Sequence, residues 1–119
     1  MQYNDDNAFY KIIHKQIQAN VVLEGEHFIA FHDIAPRAPV HILIIPKGSY
    51  IDYHDFIERA SDIEILDFHR GMNQVVKLMK LRENGFKLRT NSGKFRLNDE
   101  GGQEVMHMHF HILGKPSEA

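Results

Sequence analysis

The 119-residue chain is 43% hydrophobic and 25% charged, enough for one compact core and too little for two ordinary domains, so residues 1–119 are expected to form a single domain. Its 14 Lys and Arg against 16 Asp and Glu leave a formal charge of -2 without a long run of like charge, which argues against electrostatic binding of nucleic acid. The lack of cysteine excludes disulfides, thiolate catalysis and cysteine-held metals and fits a reducing cytoplasm.

The start, Asn4-Asp5-Asp6, is acidic where a signal peptide is basic and then apolar. The longest apolar run, Ile42 to Ile45, falls far short of the roughly 20 residues of a membrane span, so a soluble protein with no membrane partner is expected. Phe9, Ile12, Ile13 and Ile17 recur at helical spacing behind Asp5, Asp6 and Asn7, predicting a short amphipathic helix over 7–18. Val21 to Leu23 and Phe28 to Phe31 flank Glu24-Gly25-Glu26 and read as a hairpin. Val40 to Ile45, closed by Pro46, reads as a third strand buried on both faces. Ser61 with Glu64 forms a capping-box pattern ahead of Ile65, Phe68, Met72, Val75, Val76 and Met79, predicting a long helix over 61–83 that stops at Asn84-Gly85. Strands over 86–91 and 105–113 complete the set, joined by a polar loop over 92–103. The order implies an α+β domain with a five-stranded, mainly antiparallel sheet, one short helix and one long one.

Nine histidines are several times the about two or three of an average chain of this length. On an extended strand His107, His109 and His111 share one face, while Met106, Met108, Phe110 and Ile112 take the other. The outer two would lie about 13 Å apart, too far to share one ion, so the three must take different jobs, and a metal would need Asp33 or His41 as well. A neutral imidazole is a good nucleophile toward phosphorus when its second nitrogen is held by an acceptor. His109, flanked on both sides, is the natural candidate, and backbone N–H groups near Gly102 and Gln103 could approach a phosphate. His14, His27, His32, His54 and His69 have no evident chemical context.

The heptad His107-Met108-His109-Phe110-His111-Ile112-Leu113 resembles the signature of the histidine triad (HIT) superfamily of nucleotide hydrolases and transferases. Residues Phe31 to Lys47 are similar to the family's second diagnostic block, and Gly101-Gly102-Gln103 precedes the triad as in its Hint branch. The resemblance implies a homodimer with joined sheets that hydrolyses purine nucleoside 5'-phosphoramidates, of the AMP-amine or AMP-lysine type and including GMP analogues, through a nucleotidyl-histidine, with no cofactor and no metal. By position His109 resembles the nucleophile, His111 the contact to phosphate and leaving group, His107 the residue that orients His109 through its carbonyl, and His41 the supporting fourth histidine. Asp33 is similar to the acid that binds both ribose hydroxyls. Phe9, Ile12, Phe31 and Ile34 would form the purine slot, with Asn91, Gly102, Gln103 and Glu104 on the phosphate side. Local patterning also accommodates Phe9, Ile12 and Phe31 as ordinary core and Asp33 as a turn residue.

Three departures accompany the match. Asn7 and Tyr10 stand where many relatives carry zinc-binding cysteines, so no structural zinc is expected. Glu104 stands where several relatives have a serine, and an ionised carboxylate can only accept hydrogen bonds, which suits a cationic amine leaving group. The 92–100 loop, with Lys94 and Arg96, is longer than in the branch. A dinucleoside polyphosphate hydrolase, a nucleotidyl transferase and a nucleotide-binding dimer acting through protein partners are the alternative functions.

Overall fold

The computed structural model describes residues 2–98 and 100–118. Eight elements follow in chain order: α1 (Ala8–Ile13), β1 (Val21–Glu24), β2 (Phe28–His32), β3 (Val40–Pro46), α2 (Tyr53–Arg59), α3 (Asp62–Leu78), β4 (Phe86–Arg89) and β5 (Phe110–Gly114). The strands form one sheet in the order β1-β2-β3-β5-β4, and every pairing is antiparallel. The α+β class and the five strands are as expected.

Burial on both faces explains the unbroken apolar runs of the central strands. From β2 and β3, Phe28, Ala30, Ile42 and Ile44 join Phe56 of α2 and Phe68, Met72, Val75 and Val76 of α3 in the larger core. Their alternates Ile29, Phe31, Leu43 and Ile45 pack on the other face against Phe9 and Ile12 of α1. Seven consecutive residues of β3 are buried, which makes it the central plank of the sheet.

Ser61 and Glu64 make the expected reciprocal cap of α3. Both predicted helices end early, however. Lys15 and Lys80 adopt φ of 60° and 57°, a left-handed geometry that breaks a helical run. α1 therefore stops at Ile13 rather than 18, and α3 at Leu78 rather than 83. The sequence reading also missed α2, which buries only Phe56 and so carries no periodic stripe. Asp52 caps it by accepting from the Asp55 N–H at 2.9 Å.

The last strand requires a larger correction. Regular pairing begins at Phe110, and residues 104–107 bend, so His107 and His109 precede the strand instead of lying on it. Met108, Phe110 and Ile112 still reach the larger core, but Met106, predicted to face inward, is exposed.

Phe68 is fully buried, with its ring 5.2 Å from that of Phe56. Truncation there leaves a cavity between α2, α3 and the sheet. Phe68→Ala is expected to cost about 3–5 kcal/mol of unfolding free energy, read as a lowered denaturation midpoint with an unchanged slope.

Candidate active site

A cavity of about 1300 Å³ opens on the α1 face of the sheet. At one end lie Phe9, Ile12 and Phe31, and His109 and His111 also face the opening, as do Asp33, Ile34, Asn91, Gly102 and Glu104. Phe9, Ile12 and Phe31 belong to the smaller core as well, so the same side chains fill the core and line the cavity. Ile34 is fully exposed at the rim. His41, His107 and Gln103 are buried behind the lining.

The hydrogen bonds determine the tautomers. His107 Nε2 lies 2.8 Å from the carbonyl oxygen of Pro46, which can only accept, so Nε2 carries the proton. Its Nδ1 then accepts from the hydroxyl of Tyr3 at 2.7 Å, and that hydroxyl in turn accepts from the Asn7 amide at 3.0 Å. His109 Nδ1 donates to the main-chain carbonyl of His107 at 2.8 Å, leaving the lone pair on Nε2. His41 Nδ1 accepts from the Arg37 N–H at 3.1 Å, so His41 Nε2 donates to His111 Nδ1 at 2.9 Å. His111 consequently carries its proton on Nε2. One histidine offers a lone pair, its neighbour offers an N–H, and their ring centroids are 5.2 Å apart.

Burial favours the neutral rings. It pulls His107 down to about 4 against the smaller opposing effect of the Pro46 carbonyl. It also brings His111 to about 4, assisted by His109, His41 and Arg89. His109 is lowered by burial too, and there the His107 carbonyl and the carboxylates of Asp33 and Glu104 push back. His41 is lowered chiefly by burial. A neutral His109 with a free Nε2 is a competent nucleophile near neutral pH.

Asp33 is a turn residue that also lines the cavity. One carboxylate oxygen accepts from the Ala35 N–H at 2.8 Å in a tight turn, and the other lies 3.4 Å from His41 Nε2. Asp33, His41 and His111 bring three ligand-type atoms within 4.8 Å of one another. A metal-bound imidazole donates its second N–H outward, whereas the second nitrogen of His41 accepts one. The donor set therefore fits a hydrogen-bond relay and not a metal centre.

Gln103 does something other than the expected phosphate contact. Its side-chain oxygen accepts from the Gly93 N–H at 3.0 Å, and its amide donates to the carbonyls of Ile51 at 2.6 Å and Val105 at 2.9 Å. Its own backbone N–H is committed to Gly93 O at 2.8 Å. A Cβ on Gly102 would sit 2.6 Å from that same oxygen, so glycine is needed there for the loop to pass. Gln103 is a clasp that closes the 92–103 loop under the triad.

Sequence reasoning missed several participants. Tyr3 lies 104 positions from the histidine it bonds, and no local pattern could join them. Arg37, Arg89, Glu100 and His32 also line the cavity, as does Arg96, which the sequence had marked as a basic residue of the long loop. Arg89 was hidden because its position beside His111 depends on the β4–β5 register.

The HIT domain family model matches residues 14–118. A HIT-like protein of Rickettsia prowazekii is 45% identical over 112 residues, covering 94% of this chain and 89% of its own. Among solved structures, a HIT family hydrolase from Clostridium thermocellum superposes with a TM-score of 0.74 at 30% identity, covering 98% of this chain and 96% of its own. A histidine triad nucleotide-binding protein from Candida albicans does so with a TM-score of 0.78 at 31% identity, covering 96% and 78%. With its triad tautomers ordered around an open cavity and its sequence matched from residue 14 almost to the end, this chain belongs to the HIT family.

Proposed function

We propose that the protein is a purine nucleoside phosphoramidase of the Hint branch, acting through a covalent nucleotidyl-histidine on His109. The observation that carries this reading is the free Nε2 of His109, whose partner nitrogen is held by the His107 carbonyl at 2.8 Å. Solved relatives described as a hydrolase and as a nucleotide-binding protein support it.

The Nε2 lone pair attacks the α-phosphorus of the bound nucleotide. The new bond puts positive charge on the ring, which the His107 carbonyl accepts through Nδ1–H and which Asp33 and Glu104 stabilise by their charge. The P–N bond breaks, and the leaving nitrogen takes a proton from solvent in the open cavity and departs as the amine. His111 is neutral at pH 7, so its Nε2–H supplies a hydrogen bond to a phosphoryl oxygen and no proton. Water then attacks phosphorus, the bond to His109 breaks and the nucleoside monophosphate leaves. Phe9, Ile12 and Phe31 enclose the base, and Asp33 faces the ribose hydroxyls.

Metal-stripped protein incubated with adenosine 5'-phosphoramidate is expected to yield AMP and ammonia, followed by phosphorus NMR. An unchanged spectrum over hours, with nucleotide bound, favours the binding-protein alternative. Glu104→Ser is expected to reduce the preference for a lysyl over a neutral amine leaving group by about two- to fivefold, the scale of one exposed charge contact. An unaltered ratio of kcat/KM would remove Glu104 from leaving-group recognition.

A homodimer belongs to the same reading. The outer edge of β4 is unpaired within the sheet, and Phe86 and Leu88 of β4 with Ile63, Leu66 and Leu78 of α3 are exposed apolar residues that a second copy would cover. Elution at monomer size at micromolar concentration would refute it.

A further inference from the structure

One row of directly opposed residues crosses four strands: Phe31 pairs with Leu43, Leu43 with His111 and His111 with Arg89. Opposed residues project from the same face of a sheet, and strands lie about 4.8 Å apart. The row therefore runs about 14 Å from an apolar end at Phe31, past the triad, to a cationic end at Arg89. All four residues line the cavity. With the base at the Phe31 end and phosphorus at the histidines, Arg89 stands beyond His111 on the side left for the departing group.

Arg89 is poised for an anion. Its Nε is buried and has no hydrogen-bond partner among the described residues, an arrangement that costs free energy unless a ligand completes it. Among the described residues its Nη1 meets only Glu100, whose Oε1 lies 3.4 Å away on a largely exposed side chain. That is long for a charge-assisted bond, so the loop's carboxylate is a displaceable stand-in for an outside oxyanion. Arg96 brings a second guanidinium to the same cavity, folded over Gly101 with its Nη2 3.6 Å from where a Cβ would be. A guanidinium fork matches two oxygens of a carboxylate or phosphate.

We infer that Arg89 is a specificity-determining residue whose guanidinium holds an oxyanion carried by the leaving amine. This rests on the phosphoramidase reading and deepens it, because the preferred substrate becomes a nucleoside 5'-phosphoramidate whose amine bears a carboxylate or a phosphate, as an amino acid linked through its nitrogen does. When the P–N bond breaks, the nitrogen takes one proton from solvent and departs as the amine, which takes a second proton in water, so the product still carries its anion.

Two matched pairs of adenosine 5'-phosphoramidates test this on the full chain at low salt: glycine against glycinamide, and phosphoethanolamine against ethanolamine. The charged member is expected to have at least about tenfold higher kcat/KM in one pair, and which pair responds identifies the anion as carboxylate or phosphate. In Arg89→Gln that ratio should fall to near one, and in Glu100→Gln it should rise. Ratios near one in both pairs for the unmodified protein overturn the assignment, as does a ratio that persists in Arg89→Gln. If none of the four compounds is hydrolysed, the phosphoramidase reading fails instead, and calorimetric affinities of the same pairs decide the role of Arg89, equal values within each pair overturning it.

Discussion

Replacing His109 with alanine is expected to reduce turnover of adenosine 5'-phosphoramidate by at least about 10³-fold and to abolish the covalent adduct detectable by mass spectrometry after rapid acid quench. The residue is buried against Phe9, with ring centroids 5.0 Å apart, yet it faces the cavity, so its removal enlarges the site without exposing the core. A contrast with His107 sharpens the test. The His107 ring bonds Tyr3 and Pro46, while its main-chain carbonyl orients His109. His107→Ala keeps that carbonyl but strands two partners of the ring, so it should lose about 1–3 kcal/mol of stability and a smaller factor in turnover than His109→Ala. Equal losses of turnover in the two variants would place the nucleophile's activation in the His107 ring, contrary to the hydrogen bonds described above.

The second large effect is loss of stability in mild acid. Burial holds His41, His107, His109 and His111 below the ordinary histidine value. Unfolding returns each to about 6.5, so below that pH the unfolded chain binds more protons than the folded one. Each such group therefore contributes stability that is complete above about 6.5 and drains away as the pH falls toward its folded value, at about 1.4 kcal/mol per pH unit. For His107 and His111, both held at about 4, the loss across the window is about 3 kcal/mol each. Together they approach the total stability of a small domain. Lys47 bonded to Glu24 and Arg59 bonded to Asp55 hold those carboxyls below their usual range, which adds a loss of the same sign only at lower pH. Urea denaturation at half-unit intervals should show the midpoint falling steeply from pH 6.5 to 4.5, before carboxylates titrate. A flat midpoint across that window would mean that the four rings are protonated in the folded protein.

What the sequence disclosed followed the range of each interaction. The central strands were legible because burial on both faces leaves only apolar residues, as in Ile42 to Ile45, and α3 because its cap and stripe are local. The early helix ends depend on left-handed lysines, whose side chains give no warning, and α2 on one buried phenylalanine. At the site, the hold of the His107 carbonyl on His109 was legible through the family resemblance, and other contacts were not. Gln103 stands where a phosphate contact was expected, but its four hydrogen bonds reach Gly93, Ile51 and Val105. Tyr3 and Arg89 owe their places to packing and register, which no local spacing encodes.

The Gln103 clasp has an evolutionary consequence. Because Gly93 and Gln103 are tied to each other by two hydrogen bonds, the stretch between them begins and ends at fixed points whatever its length. Doubling such a loop costs only about 0.6 kcal/mol of closure entropy, and the histidines downstream would not feel the insertion. The fold thus separates a segment free to drift, carrying the cavity-lining Arg96 and Glu100, from a reaction centre that cannot. Substrate range can diversify by lengthening, shortening or recharging that one segment while the chemistry is inherited intact.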